Sequence, residues 1–119
     1  MCDSGWPDVN GCFDGIEFWV EIKEPTEPKR NTTPLFSSNH KLSVEQRNWM
    51  LNQLRAGGLA YIYIDTGKHR ILLSGNLADK INVLTLKQLI GLSLWSGVVP
   101  FKNKHHWEGI AHVIATRQI

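Results

Sequence analysis

The sequence predicts a single α/β domain, in which helices are combined with β-strands. Three observations support this fold class. The dipeptide Asp14-Gly15 is typical of the turn of a β-hairpin and separates two runs that we expect to be strands. Ser43 and Gln46 have the spacing of a capping box, which marks the start of a helix. The apolar, β-branched and aromatic run at residues 59–64 is typical of a strand that is buried on both faces.

The composition limits the size and class of the protein. The chain has 119 residues, 42% of them hydrophobic and 20% charged, with a formal net charge of +2. This length predicts one domain over residues 1–119, and this composition excludes an acidic or low-complexity disordered chain. The charge allows a nucleic-acid partner without indicating one.

Location is predicted from what the sequence lacks. No apolar run approaches the roughly 20 residues of a membrane-spanning helix. Residues 1–7 lack the basic start and apolar core of a signal peptide, so we expect a cytoplasmic protein. Cys2 and Cys12 are too few for a disulfide framework and are expected to be free thiols.

The second strand of the predicted hairpin spans residues 16–23 and alternates in polarity. Its apolar side chains point to one face and its polar or aromatic ones to the other, the latter being Glu17, Trp19, Glu21 and Lys23. Residues 24–41 contain three prolines among Thr, Asn and Ser, which predicts a long surface loop. A loop of this length in a small domain is more often functional than not.

The remaining elements follow from capping and turn signals. The first helix is expected to end at about Ala56, before Gly57-Gly58. Residues 65–68 form a turn, and residues 70–74 a returning strand. Thr85 and Gln88 form a second capping box, which predicts a helix to about Ser96 with Gly97 as its stop. The segment 100–119 has no clear assignment.

Extending the hairpin register predicts a pair of acidic residues. If Asp14 and Gly15 are the two loop residues, Phe13 lies opposite Ile16, and Asp8 lies opposite Glu21. Directly opposed residues have Cβ atoms roughly 4.5–5.5 Å apart, so two like charges would repel. A divalent cation between the carboxylates would reverse this effect, and Mg²⁺ prefers such hard oxygen ligands.

Lys23 extends this pair into a set of groups suited to phosphodiester hydrolysis. It lies two residues after Glu21 and therefore on the same strand face. An ammonium group there would stabilise the negative charge that develops on a phosphate, while a bound metal cation would activate water and polarise the phosphate. The alternative is a solvated Glu–Lys cluster without chemical function.

These residues resemble a known signature. Pro7-Asp8, followed after twelve residues by Glu21-Ile22-Lys23, is similar to the signature of the PD-(D/E)XK nuclease superfamily. The wider pattern resembles its VRR-NUC branch, which is similar to archaeal Holliday-junction resolvases and to small phage-encoded nucleases. That pattern has four parts in chain order: Gly5-Trp6-Pro7-Asp8, Glu21-Ile22-Lys23, the helix start Leu42-Ser43-x-x-Gln46, and Ala56-Gly57-Gly58 before a strand.

The resemblance implies a fold, an activity and roles for individual residues. The fold would be a restriction-endonuclease-like core, a small mixed β-sheet flanked by helices. Asp8 and Glu21 would bind Mg²⁺ or Mn²⁺, with the Ile22 carbonyl as a possible third ligand. Lys23 would be the catalytic lysine, and Gln46 the helix glutamine held beside the site. The activity implied is that of a DNA nuclease, acting in the cytoplasm of a cell or, if phage-encoded, of its host.

One departure from the family pattern concerns the segment before Pro7. Relatives usually have a helix there that often supplies another acid, whereas Asp3 is the only acidic residue among residues 1–6 of this sequence. Three explanations are open. The site works without that acid, a second chain supplies it, or the activity is altered.

Several predicted contacts have simpler alternatives. Gln46 could serve only as a capping residue. Trp19 could stack on a base or merely cover the sheet. His105, His106 and His112 are more simply solvated than metal-binding. The basic residues expected to hold DNA phosphates, against a merely solvated surface, are Lys29, Arg30, Lys41 and Arg47.

The favoured function is therefore a metal-dependent DNA nuclease, expected to be a structure-specific endonuclease on branched DNA. The alternatives are an exonuclease acting on DNA ends and a non-catalytic DNA-binding module with the same fold. A homodimer is expected, because closed two-fold pairing is the commonest oligomer and would suit symmetric cuts in two strands. Five tryptophans in one short chain also favour an interface.

Overall fold

A computed structural model describes residues 6–36, 40–99 and 106–119. They form an α+β domain with one five-stranded sheet, three α-helices and two short 3₁₀ turns. This confirms the predicted α/β class and mixed sheet. The strands are β1 (Val9–Phe13), β2 (Ile16–Lys23), β3 (Ala60–Asp65), β4 (His69–Ser74) and β5 (Trp95–Val98). The helices are α1 (Val44–Arg55), α2 (Leu86–Leu92) and α3 (His106–Ala115), and the 3₁₀ turns are Gly75–Leu77 and Ile81–Val83.

The sheet is mixed because helix α1 separates two parallel strands. The strand order follows the chain, β1-β2-β3-β4-β5. Strands β2 and β3 are parallel, whereas the other three neighbouring pairs are antiparallel. A parallel pair needs a long crossover connection, which residues 24–59 supply with α1.

The hairpin forms as predicted. Asp14 has φ 51° and Gly15 φ 79°, the backbone of a type I′ turn that suits two twisted antiparallel strands. Phe13 pairs with Ile16 and Val9 with Val20, so the predicted register is confirmed over the whole of β1.

Each face of the sheet covers a different hydrophobic cluster. On one face, Ile16, Phe18 and Val20 pack with Tyr61, Leu72 and residues of α3. On the other, residues of α1 and α2 pack on the central strands around Ile62, Ile64, Ile71 and Leu73. The polar face of β2 is therefore directed towards α1.

The connection between β2 and α1 differs from the predicted surface loop. Residues 24–36 and 40–43 contain no helix or strand, but Leu35 and Phe36 are buried in the cluster under α1. Leu35 donates its N–H to the carbonyl of Leu84 at 3.0 Å. The carboxylate of Glu27 accepts a hydrogen bond from the Thr66 hydroxyl and lies 2.9 Å from Nδ1 of His69. The described part of this loop is thus fastened to the body of the domain.

The second predicted helix is too long. Thr85 and Gln88 form the expected capping box, but α2 ends at Leu92. The Ser93 hydroxyl donates to the Ile90 carbonyl at 2.7 Å and closes the helix. Residues 95–98 instead form β5, which pairs with the otherwise open edge of β4. A capping box specifies where a helix begins, and tertiary strand pairing decided where this one ends.

The segment 100–119, which the sequence left unassigned, contains helix α3 (His106–Ala115). Helix α3 covers the sheet through Ile110, Val113 and Ile114, and the Tyr61 hydroxyl donates to the Gln118 carbonyl at 2.9 Å. Most of the basic, aromatic segment 102–107, including His105, lies outside the described residues. Within the described ranges, no helix is both long enough and apolar enough to span a membrane.

Asn82 fastens the start of α1 to the second 3₁₀ turn. Its Oδ1 accepts from the Leu42 N–H at 2.8 Å, and its Nδ2 donates to the Leu42 carbonyl at 2.9 Å. We predict that Asn82→Ala lowers the free energy of unfolding by about 1–3 kcal/mol, because the backbone of a buried residue loses both partners. Urea titration measures this. Asn48→Ala, on the exposed side of α1, is the control and should be neutral or slightly stabilising; equal losses in the two variants would contradict the role of Asn82.

Candidate active site

Asp8 lies immediately before β1 and is turned towards β2. Its Oδ2 accepts a hydrogen bond from the Ile22 N–H at 2.8 Å. The register of the hairpin, continued by one residue from Val9 opposite Val20, places Asp8 opposite Glu21. The Asp8 carboxylate is therefore held beside the end of β2 and keeps its second oxygen for other partners.

Glu21 is the buried member of the pair. Only 3% of its surface is exposed, and it is directed towards α1. Its Oε2 accepts a hydrogen bond from Nε2 of Gln46 at 3.0 Å and lies 3.7 Å from Nζ of Lys23. Its Oε1 is buried and, in the ionised form, accepts no hydrogen bond from any described residue, whereas protonated Glu21 can share a hydrogen bond with the Asp8 carboxylate. A buried carboxylate oxygen without a donor is costly, and it indicates a position where a ligand could bind.

The surroundings of Glu21 disfavour its charged form. Burial, followed by the negative charge of Asp8, raises the pKa of Glu21 from 4.5 to about 7, although the ammonium of Lys23 opposes the shift. Strong displacement of a pKa by burial and by a specific charge is characteristic of functional sites.

Gln46 caps helix α1 and also contacts two residues of the candidate site. In the capping box of α1, its Oε1 accepts from the Ser43 N–H at 2.9 Å, and its N–H donates to the Ser43 hydroxyl. The same Oε1 accepts from Nζ of Lys23 at 3.2 Å, while Nε2 donates to Glu21. The start of α1 thereby fixes the positions of the lysine and the carboxylate relative to each other.

Pro7 affects the backbone next to the carboxylates. The continued register places Pro7 opposite Ile22. In an antiparallel pair, such residues exchange N–H and carbonyl groups, but proline has no N–H to donate. The Ile22 N–H is taken by Asp8, and the Ile22 carbonyl receives no donor from position 7. This geometry agrees with the possible role of that carbonyl as a ligand.

The groups present fit a hard divalent cation. They are oxygens of two carboxylates and one backbone carbonyl, which are the ligands that Mg²⁺ and Mn²⁺ accept together with water and phosphate. In the part of the chain that the structure describes, no three side chains of the His, Cys, Asp and Glu types are grouped to hold a metal ion.

The predicted DNA-binding residues do not form one group. Lys41 and Arg47 lie before and within the first turn of α1, near Gln46 in the chain. Lys29 and Arg30 are exposed in the loop after β2. Arg30 lines a cleft of about 270 Å³ with Lys87 and Ile90 of α2, and none of the four site residues lines it.

Sequence analysis named Trp19 but missed its contacts with two other tryptophans. The Trp19 ring contacts Trp6 on one side and Trp49 of α1 on the other. A signal for Trp49 was present, because it lies three residues after Gln46 and so on the same side of α1. Trp19 therefore covers the sheet, as its simpler alternative proposed, and also joins the hairpin to α1.

No family model, curated protein or solved structure matches this chain. The chemistry of the site therefore has to be argued from its own geometry.

The raised pKa of Glu21 predicts how stability depends on pH without metal. The folded state holds the Glu21 proton more tightly than the unfolded state, so the contribution of Glu21 to stability is fully present below about pH 4.5 and is lost as pH rises through about 7. A shift of this size corresponds to about 3 kcal/mol. We predict that Glu21→Gln removes this loss, because glutamine keeps an acceptor for Gln46 without charge.

The measurement is urea unfolding of both proteins in EDTA across this pH range. The wild type should become less stable than Glu21→Gln as pH rises. Glu17→Gln, which removes an exposed carboxylate from the same strand face, controls for the loss of one negative charge. A constant difference between wild type and Glu21→Gln at every pH would show that the buried carboxylate carries no such penalty.

Proposed function

We propose that this protein is a divalent-metal-dependent DNA nuclease that hydrolyses phosphodiester bonds, as an endonuclease on branched DNA. The observation that carries the proposal is the Glu21 carboxylate, buried beside Asp8 and Lys23 with one oxygen that no described residue satisfies. A structural role alone does not account for a buried acid whose nearest charged neighbours include a second acid. Two carboxylates with an ammonium suit a cation that binds a phosphate.

The metal would be held by Asp8, Glu21 and the Ile22 carbonyl. When bound, Mg²⁺ or Mn²⁺ supplies a Lewis acid that activates water and neutralises negative charge on the phosphate. It would also lower the free-energy cost of holding the two carboxylates close together, because both would be attracted to the same cation.

The other side chains of the site have distinct tasks. The ammonium of Lys23 is held by Gln46 at 3.2 Å and can face the charge that develops on the phosphate in the transition state. Gln46 is a positioning residue, since its amide holds both Lys23 and Glu21 in place. These contacts restrict the lysine before substrate arrives, which favours preorganised catalysis.

The order of elements supports a restriction-endonuclease-like core as part of the proposal. An acidic residue before β1, the Glu-x-Lys motif on β2, the glutamine at the start of α1 and the parallel strand β3 follow in the order that the PD-(D/E)XK resemblance implies. From that resemblance we propose branched DNA as substrate and a cytoplasmic location. Lys29, Arg30, Lys41 and Arg47 are the proposed phosphate contacts.

A homodimer is part of the same proposal. Strand β1 lies at an edge of the sheet, and Val9 and Phe13 on it are exposed. An exposed edge strand with apolar side chains is suited to pairing with a second chain. Two copies related by a two-fold axis would place two sites on one branched substrate.

We predict that Glu21→Gln abolishes Mg²⁺-dependent cleavage and that Lys23→Met slows it by about 10²–10³-fold, as expected when a group that stabilises transition-state charge is removed. Cleavage of a labelled four-way junction, a closed circular duplex and a linear duplex measures this. Glu17→Gln should cleave like the wild type.

The three DNAs also separate the competing functions. Cleavage of linear DNA from its ends without cutting the circle would replace the endonuclease by an exonuclease. Binding of DNA without cleavage in Mg²⁺ or Mn²⁺ would identify a non-catalytic module. Full activity of Glu21→Gln would remove the basis of the proposal.

The two capping boxes provide a test of Gln46 as a positioning residue. Gln46→Ala and Gln88→Ala each remove the glutamine of a capping box, in α1 and α2 respectively. Only Gln46 also contacts Lys23 and Glu21. We predict a loss of stability below about 1 kcal/mol for Gln88→Ala, a larger loss for Gln46→Ala because the buried Glu21 also loses a donor, and a fall of about 10–100-fold in cleavage rate for Gln46→Ala alone. Melting curves and single-turnover cleavage measure the two effects; equal cleavage rates would limit Gln46 to capping.

A further inference from the structure

Three tryptophans form a continuous stack, which we call the tryptophan ladder: Trp6, Trp19 and Trp49. The Trp19 and Trp49 rings have centroids 4.9 Å apart and an interplanar angle of 65°. The Trp6 and Trp19 rings lie 6.3 Å apart at 73°. Both contacts are edge-to-face, which aromatic pairs prefer. Trp49 packs against the core, so the ladder leads from the interior to the surface.

Each member of the ladder is close in the chain to a residue of the candidate site. Trp6 is two residues before Asp8, and Trp19 is two residues before Glu21 on the same strand face. Two residues of a strand span roughly 6.6 Å. Trp49 is one turn after Gln46 on α1. The ladder therefore lies beside the candidate site.

Packing does not explain the outer member of the ladder. Trp6 leaves 55% of its surface exposed, although its ring is held against Trp19. Burial would stabilise so large an apolar ring, whereas this one is oriented with much of its area in solvent. The ladder also has a cost, because Nε1 of Trp19 is buried and no described residue forms a hydrogen bond with it. Phenylalanine at position 19 would cover the sheet without that cost.

We propose that Trp6 stacks on an unpaired nucleobase next to the phosphate held at Asp8 and Glu21, so that the substrate of this site is DNA with unpaired nucleotides at the position of cleavage. This inference rests on the proposed nuclease function and specifies its substrate class. An indole face offers every base a stacking surface, and such stacks tolerate any sequence. A base inside a continuous duplex is already stacked on its neighbours and cannot reach the ring without being unpaired.

The charges near the ladder agree with this assignment. A nucleotide has a flat apolar base and an anionic phosphate a short distance away. Trp6 offers the flat apolar surface two residues before Asp8, while Lys23, two residues after Glu21 on β2, and a cation at the carboxylates would offer positive charge. The site thus matches both halves of a nucleotide, provided that the base is free to turn out of its helix.

The test measures binding in Ca²⁺, which takes the same type of oxygen ligands as Mg²⁺, and gel analysis of the recovered probes confirms that they are uncut, so that the result does not depend on nuclease activity. The probes are a fluorescein-labelled oligonucleotide as a single strand, the same strand in a perfect duplex, and a flap with its branch point in the same sequence. Trp6→Ala should weaken single-strand and flap binding about 5–100-fold, the range for loss of one base stack. Duplex binding should be unchanged, and Trp6→Phe should retain most of the affinity.

Val98→Ala is the control. Val98 is also a largely exposed apolar residue, but it lies on β5, at the opposite edge of the sheet from β1. Its truncation should leave the binding of all three probes unchanged. An equal loss with Val98→Ala, or an equal loss on duplex, would overturn the stacking assignment.

A scan of abasic nucleotides identifies the partner of Trp6. One abasic position in the flap should weaken wild-type binding by the same factor as Trp6→Ala, and combining the two changes should cause no further loss. Additive losses at every position would contradict the contact. If light scattering shows that Trp6→Ala changes the molar mass of the protein, while the preference for unpaired bases is retained, the Trp6 ring would instead be assigned to a contact between two copies of the chain.

The outcomes separate this inference from the nuclease proposal. Cleavage in Mg²⁺ together with equal effects of Trp6→Ala on flap and duplex would overturn the stacking inference and leave the nuclease in place. Selective loss of single-strand and flap binding in Trp6→Ala, without cleavage of any DNA by the wild type, would support stacking and contradict the nuclease.

Discussion

The carboxylate of Glu21 lies between strand β2 and helix α1, and the candidate site is arranged around that buried charge. Burial and the nearby Asp8 carboxylate both disfavour its ionised form and raise its pKa to about 7. Lys23 and Gln46 offset part of this cost, yet Oε1 receives no hydrogen bond from the described residues. We propose a metal there because a cation would offset the repulsion between the two carboxylates.

The fold holds this charge in place through the connection between the two parallel strands. Strand β2 carries Glu21 and Lys23, and the capping box of α1 directs Gln46 onto both of them. Asn82 fastens the residue just before that helix, and Trp49 contacts Trp19 one turn further along. The start of α1 is therefore a structural support for the site as well as the end of a long loop.

Local sequence signals predicted the elements that depend on local interactions. Asp14-Gly15 specified a two-residue turn, and from it the register of β1 and β2 followed to the last pair. The capping boxes located the starts of α1 and α2. The end of α2, the strand Trp95–Val98 and the burial of Phe36 depend on contacts between distant segments, which local patterns do not contain.

The burial of Glu21 could not be predicted for the same reason. The alternation of β2 placed Glu21 on the polar face of the strand, but its burial results from packing against α1, which is a contact between distant segments. The ladder was missed because Trp6 and Trp49 reach Trp19 from two other segments.

Isothermal titration calorimetry of metal-free protein with Mn²⁺ tests the central claim most directly, because it requires neither a substrate nor turnover. The account predicts a binding event in the wild type that is absent in Glu21→Gln and unchanged in Glu17→Gln, in which an exposed carboxylate on the same strand face is removed. Asp8→Asn should weaken the same event, since it removes the charge of the second ligand. Mn²⁺ binding of equal strength and stoichiometry in the wild type and in Glu21→Gln would contradict the claim that the buried carboxylate holds the metal.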